Sequence, residues 1–181
     1  MKVEIPLSNA HRLINPGTVA LVTAAHEGKA NVMTAAWLVP LSQRPALVGA
    51  AIHPTRFTHD LIAHSGEFTL NIPGRPLAEK VQLCGTISGA DTNKFAAAGL
   101  TAVEARVVHA PWIAECLAHL ECHVVDRVTT GDHSFFVGQI VAAWADEKAF
   151  DTYWVLKEEA LKPLHHLGGR VYAILEKQLK V

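Results

Sequence analysis

TVALVTAAHEGKANVMTAAW, residues 18–37, is the stretch that decides the fold. Its first part, Thr18–Ala25, is rich in β-branched side chains, which pack well on a pleated surface. His26-Glu27-Gly28-Lys29 follows as a turn, and Ala30–Trp37 reads as a second strand. Two strands across a short Gly-containing turn form an antiparallel hairpin.

The same grammar continues outward from that hairpin. After Pro45, Ala46–His53 is a nearly continuous apolar run of strand length, broken by Pro54-Thr55-Arg56-Phe57. Thr58–His64 reads as a short helix, with Thr58 as N-cap and Asp60 in its first turn. Glu67–Ile72 is a further strand, stopped by Pro73-Gly74. Pro76–Leu83 and Asp91–Ala98 read as helices, the second closed by Gly99. His119–Val128 and Ser134–Trp144 flank a turn-rich loop and form another hairpin. Tyr153–Leu161 fits either a strand or a helix, and Pro163–Tyr172 carries a Gly168-Gly169 turn. Paired antiparallel strands with helical insertions favour a mainly β, closed-barrel architecture in one domain, residues 1–181. No G-x-G-x-x-G follows any of these strands, so a Rossmann dinucleotide fold has no support.

Composition narrows the function classes. Half of the 181 residues are hydrophobic and 18% are charged, enough apolar material for a core and too little charge for disorder. Sixteen basic residues face seventeen acidic ones, so no basic field points to nucleic acid or to a membrane surface. Cys84, Cys116 and Cys122 contain no C-x-x-C pair and cannot all pair within one chain, which argues against a disulfide framework. The N-terminal stretch has no apolar h-region, and no apolar run approaches a bilayer span. The expectation is a cytoplasmic protein.

Several constellations could carry chemistry. Arg56, with a hydroxyl and free N–H groups at the start of a helix, suits an anion such as a phosphomonoester; the same residues also make an ordinary capped loop. Thr86-Ile87-Ser88-Gly89-Ala90-Asp91-Thr92-Asn93-Lys94 could add hydroxyl, N–H and ammonium contacts, or be a polar surface loop. On a strand, Asn31, Met33, Ala35 and Trp37 share one face. That face could seat a flat ring, or simply place Trp37 in a barrel core. His133, at a hairpin tip, becomes chemically useful if the loop overhangs a cleft. His119, Glu121 and His123 alternate on one strand and could ligate a metal, but they spread over about 13 Å of strand rise, too far for one ion on a straight strand. No metal site is expected.

The order of these motifs carries more than any one of them. NVMTAAW (31–37), HPTRFTHDLI (53–62), GEFTLNIP (66–73), CGTISGADTNKF (84–95), LEC (120–122), GDHSFFVGQI (131–140) and HLGGRVY (166–172) together resemble the flavin reductase-like family of FMN-binding split barrels, in particular its flavoredoxin-like branch. The resemblance implies a Greek-key antiparallel split barrel with helical insertions, a homodimer, and FMN as cofactor. It implies that Asn31 and Trp37 flank the flavin, that Met33, Thr34 and Ala35 present backbone and hydroxyl groups to the ring edge, and that Asn71 sits near the flavin strand pair. Arg56 and Thr58 would hold the phosphate with help from Ser88, Gly89 and Lys94. His133 would face the flavin or an incoming nicotinamide, as the candidate catalytic residue, and His166 would cover the ring. Two positions depart from the family pattern: Asn93 stands where Asp is common, and His165-His166-Leu167 where an aromatic residue is common before the Gly-Gly pair.

The implied activity is transfer of a hydride from NADH or NADPH to flavin N5, then on to free flavin, a partner oxygenase or another redox protein. The alternatives are an FMN electron carrier that does not use nicotinamide directly, and a flavin-binding sensor without turnover.

Overall fold

The computed structural model describes residues 4–180. The first three residues, on which part of the reading of the N-terminus rests, lie outside that range. A four-residue helix, α1 (Leu7–Ala10), and a 3-10 turn (His11–Leu13) lead into the hairpin expected at residues 18–37. Strand β1 (Ala20–His26) pairs with β2 (Lys29–Ala35) from Ala20↔Ala35 to His26↔Lys29. Glu27 and Gly28 both have positive φ, 48° and 73°, the turn geometry that matches the twist of a tight hairpin.

Strands β3 (Leu38–Gln43), β4 (Ala46–Ile52) and β5 (Glu67–Ile72) follow, with helix α2 (Phe57–Ser65) between the last two. Helices α3 (Ala78–Thr86) and α4 (Lys94–Ala98) come next, then a small ladder of β6 (Ala102–Val103) with β7 (Trp112–Ile113). Two thirteen-residue strands, β8 (Ala118–Thr130) and β9 (His133–Ala145), form the longest hairpin. Two further hairpins close the chain: β10 (Phe150–Asp151) with β11 (Tyr153–Trp154), and β12 (Leu164–Gly168) with β13 (Val171–Ile174). Among the described residues, no helix is long and apolar enough to cross a membrane.

The main sheet is antiparallel, in the order β2-β1-β5-β8-β9-β4-β3. Its two edges, β2 and β3, are separated in sequence only by Ala36 and Trp37. Three Cα steps reach at most about 11 Å, whereas six strand spacings of a flat sheet measure about 29 Å. The sheet must therefore curl until its edges approach, which gives a barrel open along one seam: the expected split barrel. The connector is tied down where the Ala51 N–H donates to the Trp37 carbonyl at 3.0 Å.

Side-chain alternation along β1 feeds two cores. Ala20, Val22 and Ala24 point into the barrel with Phe68, Leu70, Phe136 and Ile52, where Leu61 and Ile62 of α2 plug one end. Val19 and Leu21, with Val32, face outward and are covered by Val81 and Cys84 of α3 and Leu164 of β12. Helix α3 therefore packs on the outside of β2 and α2 on the barrel side, so the free edge of β2 lies between them.

Two expectations differ from the structure, and one strand is added to them. Strand β3 was not anticipated, because Pro40 interrupts it; as an edge strand it loses no ladder partner there. Trp37 lies in the connector beyond β2, not on a strand face with Asn31. Helix α2 begins at Phe57 with Arg56 at the N-cap position and no side-chain cap, so Thr58 is inside the first turn.

Candidate functional site

A cleft of about 480 Å³ opens at the seam, within the size range of small-molecule sites. Its walls are the free edge of β2, the Ala36-Trp37 connector, the end of β4, the N-terminus of α2, the loop after α3 and the β12–β13 hairpin. Because β2 has a hydrogen-bonded neighbour on one side only, its other backbone edge is available to a ligand.

The floor is cationic. Lys94, at the start of α4, is 5% exposed, and its ammonium donates to the Cys84 carbonyl at 2.8 Å. Burial lowers the Lys94 pKa from its ordinary value, Cys84 works to raise it, and the Arg56 charge lowers it further. Burial also holds the Cys84 thiol above its ordinary value, so at neutral pH it is uncharged. Among the described residues no Asp or Glu lines the cleft. Two adjacent cations without a counter-charge, next to the uncapped N-terminus of α2, set out an anion site.

Thr58 is fully buried and accepts from the Asn31 side-chain amide at 2.8 Å, which fixes β2 to α2 across the floor. Gly89 packs directly on that amide: a Cβ there would lie 2.1 Å from Asn31 Oδ1. Ser88 lines the same wall, and Asn93 caps α4 by accepting from the Ala96 N–H at 3.2 Å. An Asp could do the same, so Asn93 loses nothing at that position. The Thr34 hydroxyl donates to the Val81 carbonyl of α3, so its backbone edge is what remains for the cleft, beside Met33 and Ala35.

The mouth is aromatic. His133 opens β9 beyond the Gly131-Asp132 turn, and its ring lies 4.7 Å from that of Trp37, tilted by 35°. His53 meets the His133 ring edge-on at 5.2 Å. The His133 Nδ1–H donates to Asp132 at 2.7 Å, leaving Nε2 as its free nitrogen. That bond, first among its influences, holds the Asp132 carboxyl below its ordinary value. His166 stands on the opposite rim, 5.3 Å from Tyr172. Tyr172 donates to Gln82 of α3 at 3.0 Å. Tyr172, Gln82 and His53 line the cleft without having been singled out as site residues, although Tyr172 closes the HLGGRVY stretch.

Asn71 is placed elsewhere. It is fully buried in the middle of the sheet, and its amide donates to the Leu21 carbonyl and the Thr23 hydroxyl while its oxygen accepts from the Ile113 N–H and His119. All of its hydrogen-bonding capacity is used within the chain, and it does not line the cleft. The alternating His119, Glu121 and His123 also separate by role. Glu121 is fully buried and accepts from the backbone N–H groups of Arg106, Val107 and Val108 and from Trp112 Nε1. His119 stacks on Trp112 at 4.6 Å, and His123 is exposed.

A family model described as flavin reductase like domain matches residues 12–174. An uncharacterised protein of Archaeoglobus fulgidus is 51% identical over 113 residues, 62% of this chain and 64% of that protein. The reductase component of a 4-nitrophenol 4-monooxygenase/4-nitrocatechol 2-monooxygenase of Rhodococcus opacus is 35% identical over 127 residues, 70% of this chain and 65% of that protein. The chain thus spans just under two thirds of each of these relatives. The crystal structure of flavoredoxin from Methanosarcina acetivorans superposes with a TM-score of 0.87 at 27% identity, covering 100% of this chain and 95% of that one.

Proposed function

The chain belongs to the flavin reductase-like family, and from that premise we propose that its cleft binds FMN and serves an NADH- or NADPH-dependent flavin oxidoreductase. The observation that carries the proposal is the buried Lys94 beside Arg56, with no carboxylate among the described residues that line the cleft and the N-terminus of α2 alongside. One phosphomonoester would supply the missing negative charge. The residues present fit the cofactor: cations at one end, an exposed strand edge and Gly89 along one side, and an aromatic rim at the other end.

In this reading Arg56, Lys94, Ser88 and the first turn of α2 hold the phosphate. Asn31, held by Thr58, and the backbone of Met33, Thr34 and Ala35 hold the ring edge. Trp37 and His166 wall the opening. Bound FMN would supply the hydride-accepting and electron-donating chemistry, for which the protein contributes orientation and electrostatics. His133, oriented by Asp132, keeps its free Nε2 at the mouth, where it can hold or deliver a proton or position a nicotinamide. The Rhodococcus relative, a monooxygenase reductase component, supports an oxygenase as the downstream partner. The likeness to a flavoredoxin supports a second reading, an FMN electron carrier that exchanges electrons with a protein partner.

Spectroscopy separates the readings. Purified protein mixed with FMN is expected to retain it and show the flavin absorption band. Anaerobic addition of NADH or NADPH is expected to bleach that band at a catalytic rate. Retention without bleaching would move the function to the carrier, and failure to retain FMN would remove both. The floor offers a local test. Gly89→Ala drives its new methyl group into Asn31 and is expected to weaken FMN about tenfold, the effect of losing one hydrogen bond of about 1.4 kcal/mol. A fluorescence titration indistinguishable from the parent protein would take Gly89 and Asn31 out of the site.

A further inference from the structure

Among the described residues, the N-terminal segment has no core of its own. Helix α1 and the 3-10 turn bury none of their residues, and Leu7 and Ile14 are 91% and 89% exposed. Its side-chain contacts nevertheless fall on the rims of the cleft. The His11 ring meets Trp37 edge-on at 5.5 Å, on the face-and-edge wall that His133 joins at 4.7 Å. The Asn15 amide lies 3.4 Å from His166 Nδ1 on the opposite rim. The His166 Nε2 contact to the Gly169 carbonyl at 3.2 Å requires Nε2 to carry the proton, so in neutral His166 Nδ1 is free to accept from Asn15. Arg12 packs against Gly168 at the tip of the same hairpin, close enough that a Cβ on Gly168 would sit 3.3 Å from Arg12 Cδ.

We propose that residues 6–15 form a clip across the cleft, joining the Trp37 rim to the β12–β13 rim, with His11 as the positioning residue for Trp37. A segment that buries little apolar surface opens at low cost. The clip therefore governs how readily a ligand leaves the cleft and how much room remains above Trp37 for a second substrate. The ligand-exchange part rests on the reading of the cleft as an FMN site; the contact with Trp37 does not.

The test uses the full chain in two measurements. Acrylamide quenching of tryptophan fluorescence is compared with and without Trp37→Phe, to isolate the Trp37 contribution, in the ligand-free protein. His11→Ala and Asn15→Ala are each expected to make Trp37 about twofold more accessible, and His11→Phe to restore it. Leu7→Ser, on the exposed side of the segment, is expected to change nothing. FMN release, followed by stopped-flow flavin fluorescence, is expected to become about fivefold faster in His11→Ala, as for loss of one aromatic contact. Unchanged Trp37 accessibility in both variants overturns the clip, as does greater accessibility with unchanged FMN release. If the parent protein fails to retain FMN, the FMN reading falls and the quenching measurement alone decides the clip.

Discussion

Lys94→Met is expected to weaken FMN about a hundredfold and riboflavin less than threefold. Lys94 is buried and bonded to one carbonyl, so its remaining donors and its charge are unspent in the free protein. A phosphate arriving there gains a charge-assisted hydrogen bond in a poorly solvated site, worth up to about 3 kcal/mol, or roughly a hundredfold in affinity. Riboflavin lacks the phosphate and gains none of this. Arg56 is exposed and partly screened by water, so Arg56→Ala is expected to cost FMN only about tenfold. With both cations acting on one phosphate, as proposed, the double variant should lose less than the product of the two. Isothermal titration of each variant with FMN and with riboflavin checks this. Equal losses for both ligands would place the phosphate elsewhere and detach Lys94 from it.

The parts of this site that were legible in the sequence are those built from local patterns. Glu27-Gly28 between two strand-length runs marks the first hairpin, and Arg56 and Lys94 announce themselves by standing at helix starts. Their convergence was not local: Asn31, Arg56, Gly89, Lys94 and His133 lie on five different elements, and family resemblance, not spacing, joined them. Asn71 shows the limit of that route. A motif places a residue near a strand pair without saying which face it takes, and β5 turns Asn71 toward Thr23 and His119, away from the cleft. Strand β3 was hidden because proline reads as a strand breaker until the strand is known to be an edge. The segment 100–117 offered no element boundaries to read, since much of what holds it is a carboxylate outside it, Glu121, nine to fifteen residues beyond the groups that donate to it.

That carboxylate makes the second large prediction: Glu121→Ala is expected to destabilise the protein by about 4 kcal/mol, with no direct effect on the cleft. Glu121 accepts from three successive backbone N–H groups and an indole N–H, so its loss strips four donors of their partner at once. Burial works to raise the Glu121 pKa, but these bonds outweigh it and hold the carboxylate below its ordinary value. Its contribution is therefore present above that ordinary value and disappears as pH falls through the folded one. His119 acts in the same direction for a different reason. Burial lowers its pKa to about 4 against the opposing pull of Glu121, so the folded state holds it neutral, bonded to Asn71 and stacked on Trp112. Below its unfolded value of 6.5 the unfolded chain takes up a proton that the folded chain refuses. The gap down to about 4 amounts to about 3 kcal/mol of stability, complete above pH 6.5 and lost across that interval. Urea unfolding between pH 4 and 7 tests both groups. His119→Asn keeps a donor toward Asn71 and should flatten the slope between pH 4 and 6.5, whereas Glu121→Ala should lower the midpoint at every pH above 4.5. A Glu121→Ala protein within 1 kcal/mol of the parent, or a His119→Asn protein with the parent's acid slope, would show that the 100–117 segment is held by something other than this buried network.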